Sequence, residues 1–285
     1  MNTKFALITG ASRGLGEFLA RRFWESGFSL YLAARSKSDL ENLANSLPER
    51  SGQQVLPIIS DLADPSSVDQ LINRVNSFSS PLSVLINNAA LQGPIGPLWE
   101  NDFSLWLRAM QVDLLAPVAL CTAFVPVLHK NGGGSIINLS GGGATGPRAN
   151  FTAYATAKAG LVRFSETLAE ESRSLDVRVN CIAPGAMQTA MLGEVLEKGA
   201  EAAGEREFAI AGKVFAEGGA SMDRVADLAL FLASDASRGI SGKLISAVWD
   251  DWEHWPEHLD ELSASDAYTL RRITGRDRGF TWGDK

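Results

Sequence analysis

Two cysteines and three histidines are all that the 285 residues contain. Cys121 and Cys181 both lie in apolar segments, so no disulfide framework is indicated and a reducing compartment is expected. Histidine is too sparse for a metal centre. His254 and His258 have i, i+4 spacing, but Pro256 lies between them and no cysteine or third ligand stands nearby, so no metal is expected. Clustered cations are also missing. The formal net charge is −7, which argues against a nucleic-acid partner, because phosphate contact relies on grouped lysine and arginine. No apolar run approaches the ~20 residues that span a bilayer. The longest candidate, around Leu114 to Leu128, contains Pro117 and Pro126, so no membrane span is expected. The chain enters its first apolar run almost at once, with no charged, apolar and cleavable leader in view, and the expectation is cytoplasmic residence.

What is present suits one soluble domain: 45% of residues are hydrophobic and 21% charged. Short apolar runs near 4–9, 28–34, 54–60, 82–87, 134–140, 177–183 and 243–248 alternate with stretches of helical spacing. That alternation predicts an α/β fold, a doubly wound parallel sheet of Rossmann type with about seven strands and helices on both faces. Right-handed crossovers would gather the loops after the strands on one edge, bringing Gly14, Asp61, Asn87, Ser140 and Pro184 around one crevice.

The first run, Lys4 to Thr9, ends directly in Gly10-Ala11-Ser12-Arg13-Gly14-Leu15-Gly16, after which Phe18, Leu19, Phe23 and Trp24 recur at helical spacing. Glycine at a strand-to-helix turn lets a phosphate approach the main chain, and the helix start supplies N–H donors and partial positive charge. This segment predicts nucleotide binding. The second strand ends Ala34-Arg35-Ser36, where a carboxylate would mark NAD(H) by bonding the ribose 2′-hydroxyl. A guanidinium there, with Arg13 inside the glycine turn, suits a 2′-phosphate instead, so NADP(H) is preferred over NAD(H).

Tyr154 and Lys158 stand four apart in a segment of helical character and share a helix face. A free tyrosine ionises near pH ~10. The expectation is that the Lys158 ammonium lowers that value and makes the phenol a usable general acid or base.

These residues together resemble the short-chain dehydrogenase/reductase family, in the branch whose glycine motif is Thr-Gly-x-x-x-Gly-x-Gly. Thr9 to Gly16 matches the motif, and Tyr154 and Lys158 match the catalytic pair. Asp61-Leu62 resembles the pair that borders the adenine, and Asn87-Asn88-Ala89-Ala90 resembles the Asn-Asn-Ala-Gly strand end. Asn180 to Gly185, with Thr189, is similar to the segment that closes around the nicotinamide carboxamide. The resemblance runs over roughly residues 3 to 246 and implies a carbonyl–alcohol interconversion. Hydride would pass between nicotinamide and substrate carbon, Tyr154 would move the proton, and Lys158 would also bond the nicotinamide ribose. It further implies a homodimer or homotetramer, paired through long helices near 101–128 and 152–174.

The chain departs from the family in two places. The offset of the family's catalytic serine lands on Gly141, and the serine present, Ser140, is one position early. Neighbours on a strand face opposite ways, so Ser140 points away unless Gly141 to Gly143 bulge. Otherwise Ser140 is structural, and the substrate oxygen is held by N–H groups of the glycine run, by Asn150 or by Thr152. Asp113 stands where the family has an asparagine that orders a relay water. It keeps acceptor oxygens and adds charge beside Lys158, or it is structural at a helix kink.

Residues near 186–220, with Met187, Met191, Leu192, Val195 and Phe215, are expected to form a substrate lid or a plain surface helix pair. The catalytic domain is then 1–248. Beyond it, 249–285 is a tryptophan-rich extension packed on the same domain or on a neighbouring subunit. The leading expectation is an NADP(H)-dependent reductase or dehydrogenase of a small carbonyl or alcohol. The alternative is a nucleotide-binding module, catalytically impaired at positions 141 and 113, that acts as a redox sensor or scaffold.

Overall fold

The structure is a computed structural model, and it describes residues 4–282 apart from Ser79. The chain opens with β1 (Phe5–Thr9), α1 (Gly14–Glu25), β2 (Ser29–Ala34), α2 (Lys37–Ser46), β3 (Val55–Ile59), α3 (Pro65–Asn76) and β4 (Leu82–Asn87). Next come α4 (Phe103–Met110), a π-helical turn (Gln111–Leu115), α5 (Ala116–Lys130), β5 (Gly134–Leu139), α6 (Thr152–Glu171) and β6 (Val177–Ala183). The rest is α7 (Ala190–Ala203), α8 (Glu205–Glu217), α9 (Met222–Ala233), β7 (Leu244–Ser246) and α10 (Leu259–Ser263).

All seven strands pair in parallel in the order β3-β2-β1-β4-β5-β6-β7. Every residue of β1 and β2 is buried, because helices cover both faces and leave no side for polar alternation. One apolar layer joins α1, α9 and the tail, from Leu19 and Phe23 to Leu228, Trp252 and Trp255. The other joins α3 and α5, from Leu71 and Val75 to Leu120 and Phe124. Reversal of strand order between β1 and β4 opens a crevice beyond their carboxyl ends, the expected place for a ligand in such a sheet.

Local chemistry sets many boundaries. Asp64 caps α3 by accepting from Ser66 N, with Pro65 at the first helical position, and Ser36 and Asp102 cap α2 and α4 in the same way. β7 covers only Leu244–Ser246 of its expected run 243–248, and Asp250 Oδ2 accepts from Ser246 N at 2.7 Å where the chain turns. The helical path from Phe103 to Lys130 is continuous over 28 residues and, by length and composition, long and apolar enough to cross a membrane. Its two prolines do not interrupt it: Pro117 lies just past the π-helical turn and Pro126 lies inside α5. Half of its most apolar window is buried, with Leu120, Phe124 and Leu128 in the α3–α5 layer, so it packs as a core helix.

The tail packs on its own chain. Trp252 meets Phe231 at 5.4 Å between ring centroids and Trp255 meets Tyr268 at 4.3 Å. Lys243 Nζ donates to the carbonyls of Leu262, Ser265 and Ala267, and Leu244 N donates to Tyr268 O at 2.8 Å along the sheet edge. Trp249, by contrast, is 86% exposed.

Candidate active site

The crevice encloses a cavity of about 600 Å³. Gly10, Ser12, Arg13, Gly14, Leu15 and Gly16 form its floor, Arg35, Ser36, Asp39, Asp61 and Leu62 one end, and Ser140, Tyr154 and Lys158 the other. Pro184, Met187, Thr189, Ala190 and Met191 close it from the side of α7.

The floor is shaped by what glycine leaves out. Gly10 and Gly14 adopt φ of 64° and 57°, the left-handed region that side chains resist. A Cβ on Gly16 would lie 2.1 Å from Gly10 O, so no larger residue fits unless the main chain moves. Asn88 clamps the turn from β4, donating Nδ2 to Thr9 O at 2.9 Å. Unlike α2, α3 and α4, α1 has no side-chain cap; its N-cap Arg13 leaves the leading N–H groups for a ligand. These features fit a dinucleotide pyrophosphate.

At the far end Tyr154 and Lys158 are both buried on α6. Lys158 Nζ donates to Leu139 O at 2.9 Å and lies 3.7 Å from Asp113 Oδ2 and 5.6 Å from the Tyr154 ring centroid. Asp113 is wholly buried in the π-helical turn, and its Oδ1 accepts from Leu91 N at 2.8 Å. Burial raises its carboxyl to about 6 against the pull of Lys158.

The expected acidification of the phenol is not what this geometry gives. Burial first, and the Asp113 charge second, push the Tyr154 hydroxyl above its ordinary value, and the cation that pulls it back is Arg148. The ammonium of Lys158 turns toward the Leu139 carbonyl and Asp113 instead of the phenol oxygen.

Gly141 and Ser140 divide the place of the missing serine. A Cβ on Gly141 would lie 2.2 Å from Tyr154 Oη, so the phenol occupies the space a side chain there would take. Ser140 N donates to Ile182 O at 2.8 Å, one rung beyond β5, and the residue is part of the crevice wall while its Oγ is buried and has no hydrogen-bond partner. Thr152 Oγ1 accepts from Trp106 Nε1 at 3.3 Å, and neither Thr152 nor Asn150 lines the crevice.

Asn87, Gly185 and Asp113 lie outside the lining, while Ala89 is in it. Asn87 donates to Asn138 Oδ1 at 2.8 Å inside the sheet, because it points opposite to its neighbour Asn88. Gly185 serves a turn: its φ is 80° and a Cβ would lie 2.8 Å from Ala220 Cβ. Arg148 and Asp39 were missed by sequence reasoning; the signal available for Arg148 was a lone cation in the glycine-rich loop before Tyr154.

The 186–220 segment is the helix pair α7–α8. Its ends are stapled by Ala220 N donating to Ala186 O at 2.7 Å, and Val195, Ala203 and Ala211 pack on Ile95 and Phe151 in a small cluster of their own. Among the described residues, no group of three or more His, Cys, Asp or Glu is placed to hold a metal ion.

A short chain dehydrogenase family model matches residues 4–200. The chain is 28% identical to a short chain dehydrogenase, pigC, of Monascus ruber over 96% of this chain and 88% of that protein. It is 32% identical to an uncharacterized short-chain type dehydrogenase/reductase, y4mP, of Sinorhizobium fredii over 85% and 94%. In structure it is similar to L-sorbose reductase of Gluconobacter frateurii, solved with NADPH and L-sorbose, with a TM-score of 0.76, 30% identity and coverage of 86% and 95%. With the seven-stranded sheet and the glycine floor, these matches make the chain a member of the short-chain dehydrogenase/reductase family of NAD(P)-dependent oxidoreductases.

Proposed function

We propose that the protein is an NADP(H)-dependent carbonyl reductase, interconverting a small ketone and a secondary alcohol, with Tyr154 as general acid and base. The observation that carries this reading is one continuous crevice that joins the glycine floor to Tyr154, Lys158 and Ser140. The nicotinamide supplies the hydride chemistry when bound. Tyr154 donates its phenolic proton to the substrate oxygen, Ser140 steadies that oxygen through the hydroxyl that no protein group uses, and Lys158 orients the cofactor ribose.

Arg35 and Arg13 at the adenosine end support NADP(H), as does the NADPH bound to L-sorbose reductase. Asp39 lines the same edge in the first turn of α2, so the relative affinity for NADPH and NADH decides the preference. We also propose that the protein is a homo-oligomer, a reading supported by Phe103, Leu107 and Leu115, which lie exposed along the long helix.

The test is an NADPH-oxidation screen across ketones, keto sugars and keto acyl compounds, run beside Tyr154→Phe. Turnover that the substitution abolishes supports the enzyme. Tight cofactor binding without turnover across the panel supports a nucleotide-binding module instead.

A further inference from the structure

The two most shielded ion pairs among the described residues both flank Tyr154. One is Lys158 with Asp113, whose side chains are 2% and 0% exposed. The other is Arg148 with Glu207, at 13% and 21%, whereas every other ion pair of lysine or arginine with a carboxylate has at least one partner above a third exposed.

Arg148 belongs to the glycine-rich loop between β5 and α6 and is fixed from three sides. Its guanidinium lies over the Phe151 ring at 3.8 Å from the centroid, and its Nε donates to Glu207 Oε2 at 2.7 Å. Its stem runs along the glycines, so that a Cβ on Gly143 would lie 3.3 Å from Arg148 Cβ. In this pose the guanidinium stands 5.8 Å from the Tyr154 ring centroid. Glu207 is on α8, and this is the one ion pair among the described residues that ties the α7–α8 helix pair to the rest of the chain.

We propose that Arg148 is a positioning residue for the Tyr154 phenol and that Glu207 holds it in place, so that docking of α7–α8 completes the proton-transfer geometry. This rests on the reading of Tyr154 as the acid. The charged groups around the phenol are then Lys158 on α6, Asp113 in the π-helical turn, Arg148 in the loop and, through Arg148, Glu207 on α8. Asp113 opposes the phenolate and lies 3.7 Å from the Lys158 ammonium, and the guanidinium of Arg148 is the cation that favours the phenolate formed on proton release. Its planar fork allows stacking on Phe151 and bonding to Glu207 at once, which a lysine cannot reproduce.

The experiment compares Arg148→Met, Arg148→Lys, Glu207→Gln and Tyr154→Phe in both reaction directions on a neutral ketone–alcohol pair. Arg148→Met is expected to lower kcat about tenfold and to move the rising limb of alcohol oxidation about one pH unit upward. KM and NADPH affinity should hold, because Arg148 does not line the cofactor crevice. Arg148→Lys should recover only part of kcat. Glu207→Gln, which leaves the loop intact, should move kcat and the limb the same way by a smaller amount. A loss confined to KM, an unshifted limb, or full activity in Arg148→Lys overturns the proposal. Full turnover in Tyr154→Phe overturns the underlying reading, whereas an inactive Tyr154→Phe beside a wild-type Arg148→Met overturns this inference alone.

Discussion

The two ends of the crevice are made of different materials. At the dinucleotide end the protein presents main chain: Gly10, Gly14 and Gly16 remove side chains so that carbonyls, N–H groups and a helix start form the surface. At the other end it presents Tyr154, Lys158 and Ser140, backed by the side chains of Asp113 in the π-helical turn and Arg148 in the loop before α6. A main-chain surface follows from a contiguous stretch of sequence. A side-chain surface depends on what each group meets after folding, so its chemistry shifts with one neighbour, as Asp113 shifts that of Tyr154.

The sharpest way to break this contrast is Gly16→Ala. Its Cβ would meet Gly10 O at 2.1 Å and Asn88 Nδ2 at 2.5 Å, and the carbonyl cannot swing aside as a side chain can. A penalty of about 3 kcal/mol is expected, roughly a hundredfold weaker NADPH binding in a fluorescence titration. Gly141→Ser attacks the other end. Its Cβ would displace the Tyr154 hydroxyl, so kcat should fall about a hundredfold while NADPH affinity changes little. Equal losses of affinity in both variants would erase the distinction between the ends.

Arg35→Ala probes a side chain set at the main-chain end. On the proposed NADP(H) reading, in which Arg35 pairs with the 2′-phosphate, NADPH affinity should drop about tenfold and NADH affinity should stay nearly constant. A parallel drop for both cofactors would show that Arg35 serves the loop and not the phosphate.

Asp113→Asn is read in stability instead of binding or turnover and reports on the buried pair. The folded-state value near 6 lies above the ordinary carboxyl value, so the neutral form favours the fold. That stability is fully present below the unfolded value and is lost as pH rises through about 6. Denaturant unfolding of the wild type should therefore show a decline between about pH 4 and 7, of order 2 kcal/mol or less. The substituted amide keeps an oxygen for Leu91 N and, being unable to ionise, should flatten that decline. An unchanged slope would mean that other groups produce it.

Much of the fold was legible because its signals are local. All seven strands fall within a few residues of their apolar runs, and the boundary that moved most, at β7, lies where Asp250 accepts from Ser246 N. Asn87 and Asn88 mark the limit at the site. The pair announces a strand end, but which of them faces the ligand follows from the pleat, and Asn88 turned to the glycines. The tail is similar: its tryptophans announced an apolar surface, and only packing showed Trp252 and Trp255 buried on their own chain while Trp249 stays exposed.

The sequence by itself determined the doubly wound sheet, the nucleotide turn and the pairing of Tyr154 with Lys158 on one helix face, because strand runs, glycine and helical periodicity act over a few neighbouring residues. The tertiary structure alone decided where the charges point. Lys158 turns to Asp113 and Leu139, and Arg148 to Glu207 and the Phe151 ring. Arg148 and Glu207 are 59 positions apart, and burial, which no local pattern encodes, sets how strongly each partner is felt.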